Sequence, residues 1–307
     1  MTDSVNSTSS IQGRIVGNKP NASDAATGIP ATGWQTTGSA VRGQSHIADG
    51  KPCQDAWDVA TNGEWLFAAV ADGAGSAEHA EIGAEHLVKS VVDSLAGLQA
   101  EFTHSNEAFS SFWAAAVNRA VEQARDRLAA GILHPSQISH VLSGDPHLAD
   151  YHATLVGAVS NGEHCLLFHL GDGFAAAVTQ EEWEVAEVSK PENGRYANET
   201  FFFTQPQWQE HLRCKTIAAP ESLWLMSDGC AAFAANRSNT GLDSRFAAPV
   251  HRFLMSTSDA ALRAKALAQT LDSAATHRIT GDDKTLLWAG RDAGATSLQL
   301  ATVSEAP

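Results

Sequence analysis

What constrains this chain most is the order in which its apolar runs arrive. Residues 56–71 read as a hairpin: Ala56-Trp57-Asp58-Val59-Ala60, a turn at Asn62-Gly63, then Trp65-Leu66-Phe67-Ala68-Ala69-Val70-Ala71. Apolar strands bounded by an Asn-Gly turn are the sequence form of an antiparallel pair. Two long amphipathic helices are expected next, at about 77–98 and 106–130. In the first of them Ile82, Leu87, Val91, Val92 and Leu95 can share one face. A second block of strands covers 152–187, with turns at Asn161-Gly162 and Asp172-Gly173 and a last strand at 183–187. Strands at 223–226 and 285–289 and a helix near 259–277 complete the pattern. Hairpins outnumber β-α-β alternations, so the sheets should be antiparallel and the helices should cover them from outside. The order predicts an α+β layered domain.

Charge narrows the partners. Lys plus Arg number 20 against 35 Asp plus Glu, a formal net charge of −15. Nucleic acid and anionic membrane surfaces both require clustered positive charge, so neither is expected as a partner. An acidic chain can still process phosphate if bound cations reverse the field at its site. Cys53, Cys165, Cys214 and Cys230 are scattered without a C-x-x-C pair, so no zinc module or redox motif is indicated and they read as reduced, mostly buried hydrophobes. Met1-Thr2-Asp3-Ser4-Val5-Asn6 lacks the basic-then-apolar form of a signal peptide. No apolar run reaches the roughly 20 residues that span a bilayer. The cytoplasm is the expected compartment. Residues 1–33, rich in Ser, Thr, Asn, Ala and Gly without hydrophobic period, read as a flexible tail, and 291–307 as a shorter one; the domain lies between, at 34–290.

The chemistry sits where apolar strands meet acidic residues. Ala68-Ala69-Val70-Ala71 runs into Asp72-Gly73-Ala74-Gly75, and Leu223-Trp224-Leu225-Met226-Ser227 into Asp228-Gly229. Gly281-Asp282-Asp283 opens a strand, and Cys53-Gln54-Asp55 precedes the first hairpin. Hard cations such as Mg²⁺ and Mn²⁺ prefer carboxylate, carbonyl and water oxygens. A glycine after the aspartate lets the backbone bend so that its carbonyl can reach the same ion. Asp-Gly is also the commonest kind of turn dipeptide, and Asp49-Gly50, Asp72-Gly73, Asp172-Gly173 and Asp228-Gly229 all carry it. Spacing alone does not separate ligands from turns.

The ordered set of motifs does more. Gly43-Gln44-Ser45-His46, Pro52-Cys53-Gln54-Asp55-Ala56 and Val70-Ala71-Asp72-Gly73-Ala74-Gly75 resemble the opening of the type-2C metal-dependent serine/threonine protein phosphatases (PPM). His152-Ala153-Thr154-Leu155, Leu170-Gly171-Asp172-Gly173, Met226-Ser227-Asp228-Gly229 and Gly281-Asp282-Asp283-Lys284-Thr285 resemble the later motifs of that family, in the right order. Ser45-His46 and Asn198-Glu199-Thr200-Phe201 resemble its bacterial branch. The resemblance runs over about 36–290. It implies a four-layer αββα sandwich, two central antiparallel sheets flanked by helices. It also implies two divalent cations, Mg²⁺ or Mn²⁺, with Asp72 bridging both, Gly73 offering its carbonyl, and Asp228 and Asp282 holding the other ion. Asp55 falls where the family has an acidic residue at or beside the metals, and Asp172 where some relatives hold a third, weaker one. Asp283 is expected beside the ligands or in solvent. The implied reaction is attack of a water, activated between the two ions, on a phosphoserine or phosphothreonine of a protein, with no phospho-enzyme.

Three positions depart from the pattern. Ala74 stands where many relatives have a histidine, Gln54 where they have a glutamate, and no arginine clearly takes the place of the phosphate-binding one, Arg42 and Lys51 being possible. His46 is a candidate for phosphate contact or proton donation, with a structural histidine in the first strand as the alternative. Trp57, Trp65 and Trp224 read as core, Trp183 and Trp208 as candidates for a substrate surface, and 190–203 as a flap edging the cleft, its run Phe201-Phe202-Phe203 equally readable as a buried strand. The expected partner is a phosphoprotein, a kinase or a kinase target, met by a monomeric enzyme. Two other readings keep the fold: a regulatory module with little or no catalysis, favoured by the departures, and a phosphatase of small phosphomonoesters.

Overall fold

The computed structural model describes residues 33–105, 107–137, 147–193, 200–218 and 220–291. The strands are β1 (Gln35–Val41), β2 (Ala56–Asn62), β3 (Trp65–Ala71), β4 (Leu155–Ser160), β5 (His164–Leu170), β6 (Phe174–Val178), β7 (Glu187–Ser189), β8 (Arg213–Ala218), β9 (Ser222–Met226) and β10 (Lys284–Gly290). The helices are α1 (Gln44–Ala48), α2 (Ala80–Gly97), α3 (Gln99–Thr103), α4 (Phe109–Ala129), α5 (Trp208–His211), α6 (Asp228–Ala234), α7 (Ser244–Ser256), α8 (Ala260–Leu271) and α9 (Ala274–His277). The strands form two five-stranded antiparallel sheets, one ordered β1-β10-β9-β6-β7 and the other β2-β3-β4-β5-β8.

Period-two side chains explain how the sheets stack. In β3, Leu66, Ala68 and Val70 join the core between the two sheets, while Phe67, Ala69 and Ala71 face α2 and α4. In β9 and β10, Leu223, Leu225, Leu287 and Ala289 enter the same inter-sheet core, while Trp224, Met226, Leu286 and Trp288 face the other helical layer. Strands apolar on both faces must be covered on both faces. The helices supply the cover: Ala84, Leu87, Val88, Val91, Val92 and Leu95 of α2 and Phe112, Trp113, Ala116, Val117, Ala120, Val121, Ala124 and Leu128 of α4 recur every three or four residues and are all buried. On the far side Leu254, Leu267 and Leu271 of α7 and α8 do the same work. Asp259 starts α8 by accepting the amides of Ala261 and Leu262 at 2.8 and 3.2 Å. The result is the four-layer αββα arrangement.

The hairpin at 56–71 is present. Asn62 pairs with Trp65, and the first central residue of the turn, Gly63, has φ +59°, where a type II′ turn excludes a Cβ. Several other expectations need correction. Asp172-Gly173 is not a hairpin turn: β5 and β6 lie in different sheets, and the dipeptide carries the chain from one to the other. The strand expected at 183–187 is β7, at Glu187–Ser189. His46 lies on the short helix α1, not in the first strand. Trp183 and Trp208 are buried, Trp183 edge-on to Trp224 at 5.9 Å, so neither offers a substrate surface. Phe203 is buried, but 201–203 form no strand. The tails expected at 1–33 and 291–307, and the centre of the flap expected at 190–203, lie almost wholly outside the described residues. No helix among the described residues is long and apolar enough to cross a membrane.

Candidate metal centre

Strand register alone gathers the acidic residues. Ala56 pairs with Ala71, so Asp55 and Asp72 stand side by side at the open end of the β2-β3 hairpin. Met226 pairs with both Leu286 and Phe174, which puts Asp228, Asp282-Asp283 and Asp172 at one end of the other sheet. Leu155 pairs with Leu170, bringing the end of β5, and with it Asp172, to the same side as β4's start. Two antiparallel sheets packed face to face thus present their acidic turns at one end.

Hydrogen bonds sew the two sheets together there. Ser227, after β9, donates its hydroxyl to Asp55 Oδ2 at 2.8 Å, and accepts the Thr285 amide at 3.0 Å. The Asp72 amide donates to Thr154 Oγ1 at 3.1 Å, and the Thr154 amide to Asp72 O at 2.9 Å. Asp283 accepts the amides of Gly43 and Gln54, each at 2.6 Å, and Nδ1 of His46 at 2.9 Å. Asp283 is therefore neither solvated nor idle: it is buried, and it ties the start of β10 to the segment between β1 and β2. Close backbone approach is built in. A Cβ on Gly73 would stand 2.6 Å from Gln54 O, and one on Gly229 2.0 Å from Asp283 O. Those glycines are required by packing, whatever the adjacent carboxylates bind.

The electrostatics show strain. Burial first, and then the charge of Asp283, push the Asp55 carboxyl well above its usual range. Asp72 is raised in the same way by burial and by Asp55, Asp228 and Asp282, although part of its surface remains open to solvent. Burial and Asp228 also raise Asp282, and they raise Asp172 to about 6. Like charges gathered in low dielectric disfavour their own ionisation. Asp55 Oδ1, Asp228 Oδ1 and Gln54 Oε1 are buried without a hydrogen-bond partner. Such oxygens are costly unless something pairs with them. Among the described residues, no three His, Cys, Asp or Glu side chains already stand in an arrangement that could hold an ion. The carboxylates are within electrostatic reach of one another and not yet closed around a point. Uncompensated like charges splay, and rotation about side-chain torsions can turn a carboxylate oxygen inward, so the mutual repulsion and the orphaned oxygens weigh more here than the present spacing. The donor set, carboxylates with backbone carbonyls beside them, suits a hard divalent cation.

Of the residues singled out in the sequence, Asp55, Asp72, Gly73, Asp172, Asp228 and Asp282 all come to this end, and His46 with them. Ser227 and Thr154 were not singled out as supports, and Asp283, expected beside the ligands or in solvent, is a buried support that takes three donors. The sequence signal for Ser227 was its place between a strand and Asp228, and for Asp283 its place beside Asp282.

Comparison with known proteins agrees with this architecture. The family model of protein phosphatase 2C matches residues 42–272. Serine/threonine-protein phosphatase 3 of Escherichia coli (strain K12) is 26% identical over 269 residues, covering 83% of this chain and 99% of its own. Among solved structures, the S. agalactiae serine/threonine phosphatase shares the fold with a TM-score of 0.54 at 13% identity, over 84% of this chain and 100% of that one. The catalytic domain of the serine threonine protein phosphatase PstP, in complex with 2 manganese ions, has a TM-score of 0.50 at 18% identity, over 84% and 97% of the two chains.

Proposed function

The chain belongs to the protein phosphatase 2C family, and from that premise we propose that it removes phosphate from phosphoserine and phosphothreonine of cytoplasmic phosphoproteins, using two divalent cations. The observation that carries this reading is the convergence of Asp55, Asp72, Asp228 and Asp282, from four separate stretches of chain, into one mutually repelling cluster with buried unpaired oxygens. A fold that only needed stability would not keep it. The manganese ions named for PstP and the activity named for the E. coli relative support it.

In this reading Asp72 and the Gly73 carbonyl hold one or both ions, Asp228 and Asp282 hold one, Asp55 lies against them, and Asp172 serves a third, weaker ion. Mg²⁺ or Mn²⁺ bound there would neutralise charge on the phosphoryl oxygens and make a water acidic enough to attack at neutral pH. The chain's own residues do the positioning. Ser227 holds Asp55, Thr154 holds the backbone of Asp72, and Asp283 fixes the 43–54 segment against β10. The apolar inter-sheet core behind them keeps the carboxylates from moving as a group.

Phosphate release from an aryl phosphate and from a phosphoserine peptide tests the proposal. The full chain should hydrolyse both with Mn²⁺ and neither after chelation. Hydrolysis that survives a chelator contradicts the metal assignment. Aryl phosphate hydrolysis without any activity on phosphopeptides contradicts the protein substrate.

A further inference from the structure

We propose that His46, held by Asp283, donates the proton to the leaving oxygen of the substrate; the assignment rests on the phosphatase reading above. Asp283 is 2% exposed, and its carboxylate takes three donors: the Gly43 amide on Oδ1, and the Gln54 amide and His46 Nδ1 on Oδ2. A carboxylate oxygen so used can only accept, so Nδ1 is the donor and the reactive proton of the imidazolium belongs to Nε2. A buried carboxylate behind an imidazole fixes the ring's orientation and its tautomer.

Nε2 has no hydrogen-bond partner among the described residues. It stands 3.9 Å from the place a Cβ of Gly75 would occupy, over the loop that continues from Asp72, and His46 is close enough to Asp282 for their charges to interact. Next to it on that loop, Ala74 presents only a methyl group. The ring is half-buried, on a helix with no buried residue, so its main attachment to the fold is Asp283 itself. An imidazole with one nitrogen anchored to a buried carboxylate and the other free at the edge of an acidic cluster is poised to move a proton.

The reaction has a use for it. As the water oxygen bonds to phosphorus, the P–Oγ bond breaks and its electron pair goes to the serine or threonine oxygen. That alkoxide is strongly basic, and it takes the Nε2 proton to become a neutral hydroxyl. The products are inorganic phosphate and the free side chain, and solvent returns the proton to His46, balancing the one lost by the attacking water. A 4-nitrophenyl leaving group is stable as the anion and needs no proton.

Leaving-group dependence therefore separates proton donation from a phosphate contact. With saturating Mn²⁺, kcat/KM would be measured for 4-nitrophenyl phosphate, phenyl phosphate and a phosphoserine peptide, on the full chain and on His46→Asn. The variant should lose about 10²-fold or more on the peptide, less than about threefold on 4-nitrophenyl phosphate, and an intermediate factor on phenyl phosphate. Asp283→Asn should tilt the series in the same direction by less. Because the readout is a ratio between substrates on one preparation, partial unfolding of either variant cancels. Equal losses on all three substrates, as a phosphate contact or a structural role would give, overturn the proposal, as does an unchanged peptide rate. A wild-type chain that hydrolyses none of the three overturns the phosphatase reading itself.

Discussion

In the layer where α2 and α4 cover their sheet, the most deeply buried histidine is His86. Its Nε2 donates to Ala124 O at 2.8 Å, and its Nδ1 accepts the His134 amide at 2.9 Å. Burial pushes its pKa down to about 4, so the ring is neutral and both its nitrogens are used. At the open end of the same sandwich the buried groups are aspartates that repel one another, with oxygens left unpaired. His86 finds partners for both of its ring nitrogens inside the fold; the carboxylates of the acidic end keep oxygens without one. The contrast teaches where folding and function part company: the helical layer should tolerate no loss of contact, and the acidic end should tolerate loss of charge while losing its chemistry.

The largest expected effect lies at the acidic end. Asp72→Asn and Asp228→Asn should each lower Mn²⁺-dependent turnover by about 10³-fold or more. Without metal, neither should lower the thermal midpoint, since each removes a like charge. A variant that keeps its turnover, or that unfolds, breaks the contrast. Next comes the helical layer. Leu87→Ala, at a fully buried position of α2, should cost about 2–5 kcal/mol in denaturant unfolding. The folded fraction should keep its activity per molecule.

A pH titration sharpens the same comparison. His86 is depressed in the folded state, so between about 6.5 and about 4 the unfolded chain binds a proton there that the folded chain does not. Its contribution is fully present above about 6.5 and is lost as pH falls toward 4, about 3 kcal/mol in all. The raised aspartates of the acidic end act with the opposite sign in the same window. The slope is therefore read in the difference in unfolding free energy between wild type and His86→Gln, which should shrink by about this amount as pH falls from about 6.5 to about 4. Metal should then stabilise only the acidic end: Mn²⁺ at about a hundred times its Kd raises the unfolding free energy by about 2.7 kcal/mol. That gain should be missing in Asp72→Asn. The smallest effect is a cap. Asp259→Ala removes the acceptor of two amides at the start of α8 and should cost about 1 kcal/mol, with turnover unchanged.

Much of this architecture was legible in the sequence because it is periodic. The alternation in Trp65–Ala71 and the spacing of Leu87, Val91 and Leu95 name their elements and faces directly. The acidic end was legible through ordered motifs, since Asp-Gly at a strand's mouth carries meaning only in series. What stayed hidden lacked a local signal. β8, Arg213–Ala218, carries mostly exposed polar and small side chains at the sheet's edge, so no apolar pattern announces it. Helix α7 contains Pro249 at its sixth residue, which cannot donate to the Arg245 carbonyl and argues against a helix on its own. The switch of sheets at Asp172-Gly173 depends on what β6 pairs with, and no dipeptide records that. The three donors on Asp283 come from residues roughly 230 positions away, and only folding reveals them.

The most direct measurement is anomalous diffraction from crystals of the full chain grown with Mn²⁺. Two strong peaks among the carboxylates of Asp72, Asp228 and Asp282, with Asp55 beside them, are predicted. Peaks confined to other parts of the surface, or none at saturating Mn²⁺, would contradict the assignment of this acidic end as a metal centre.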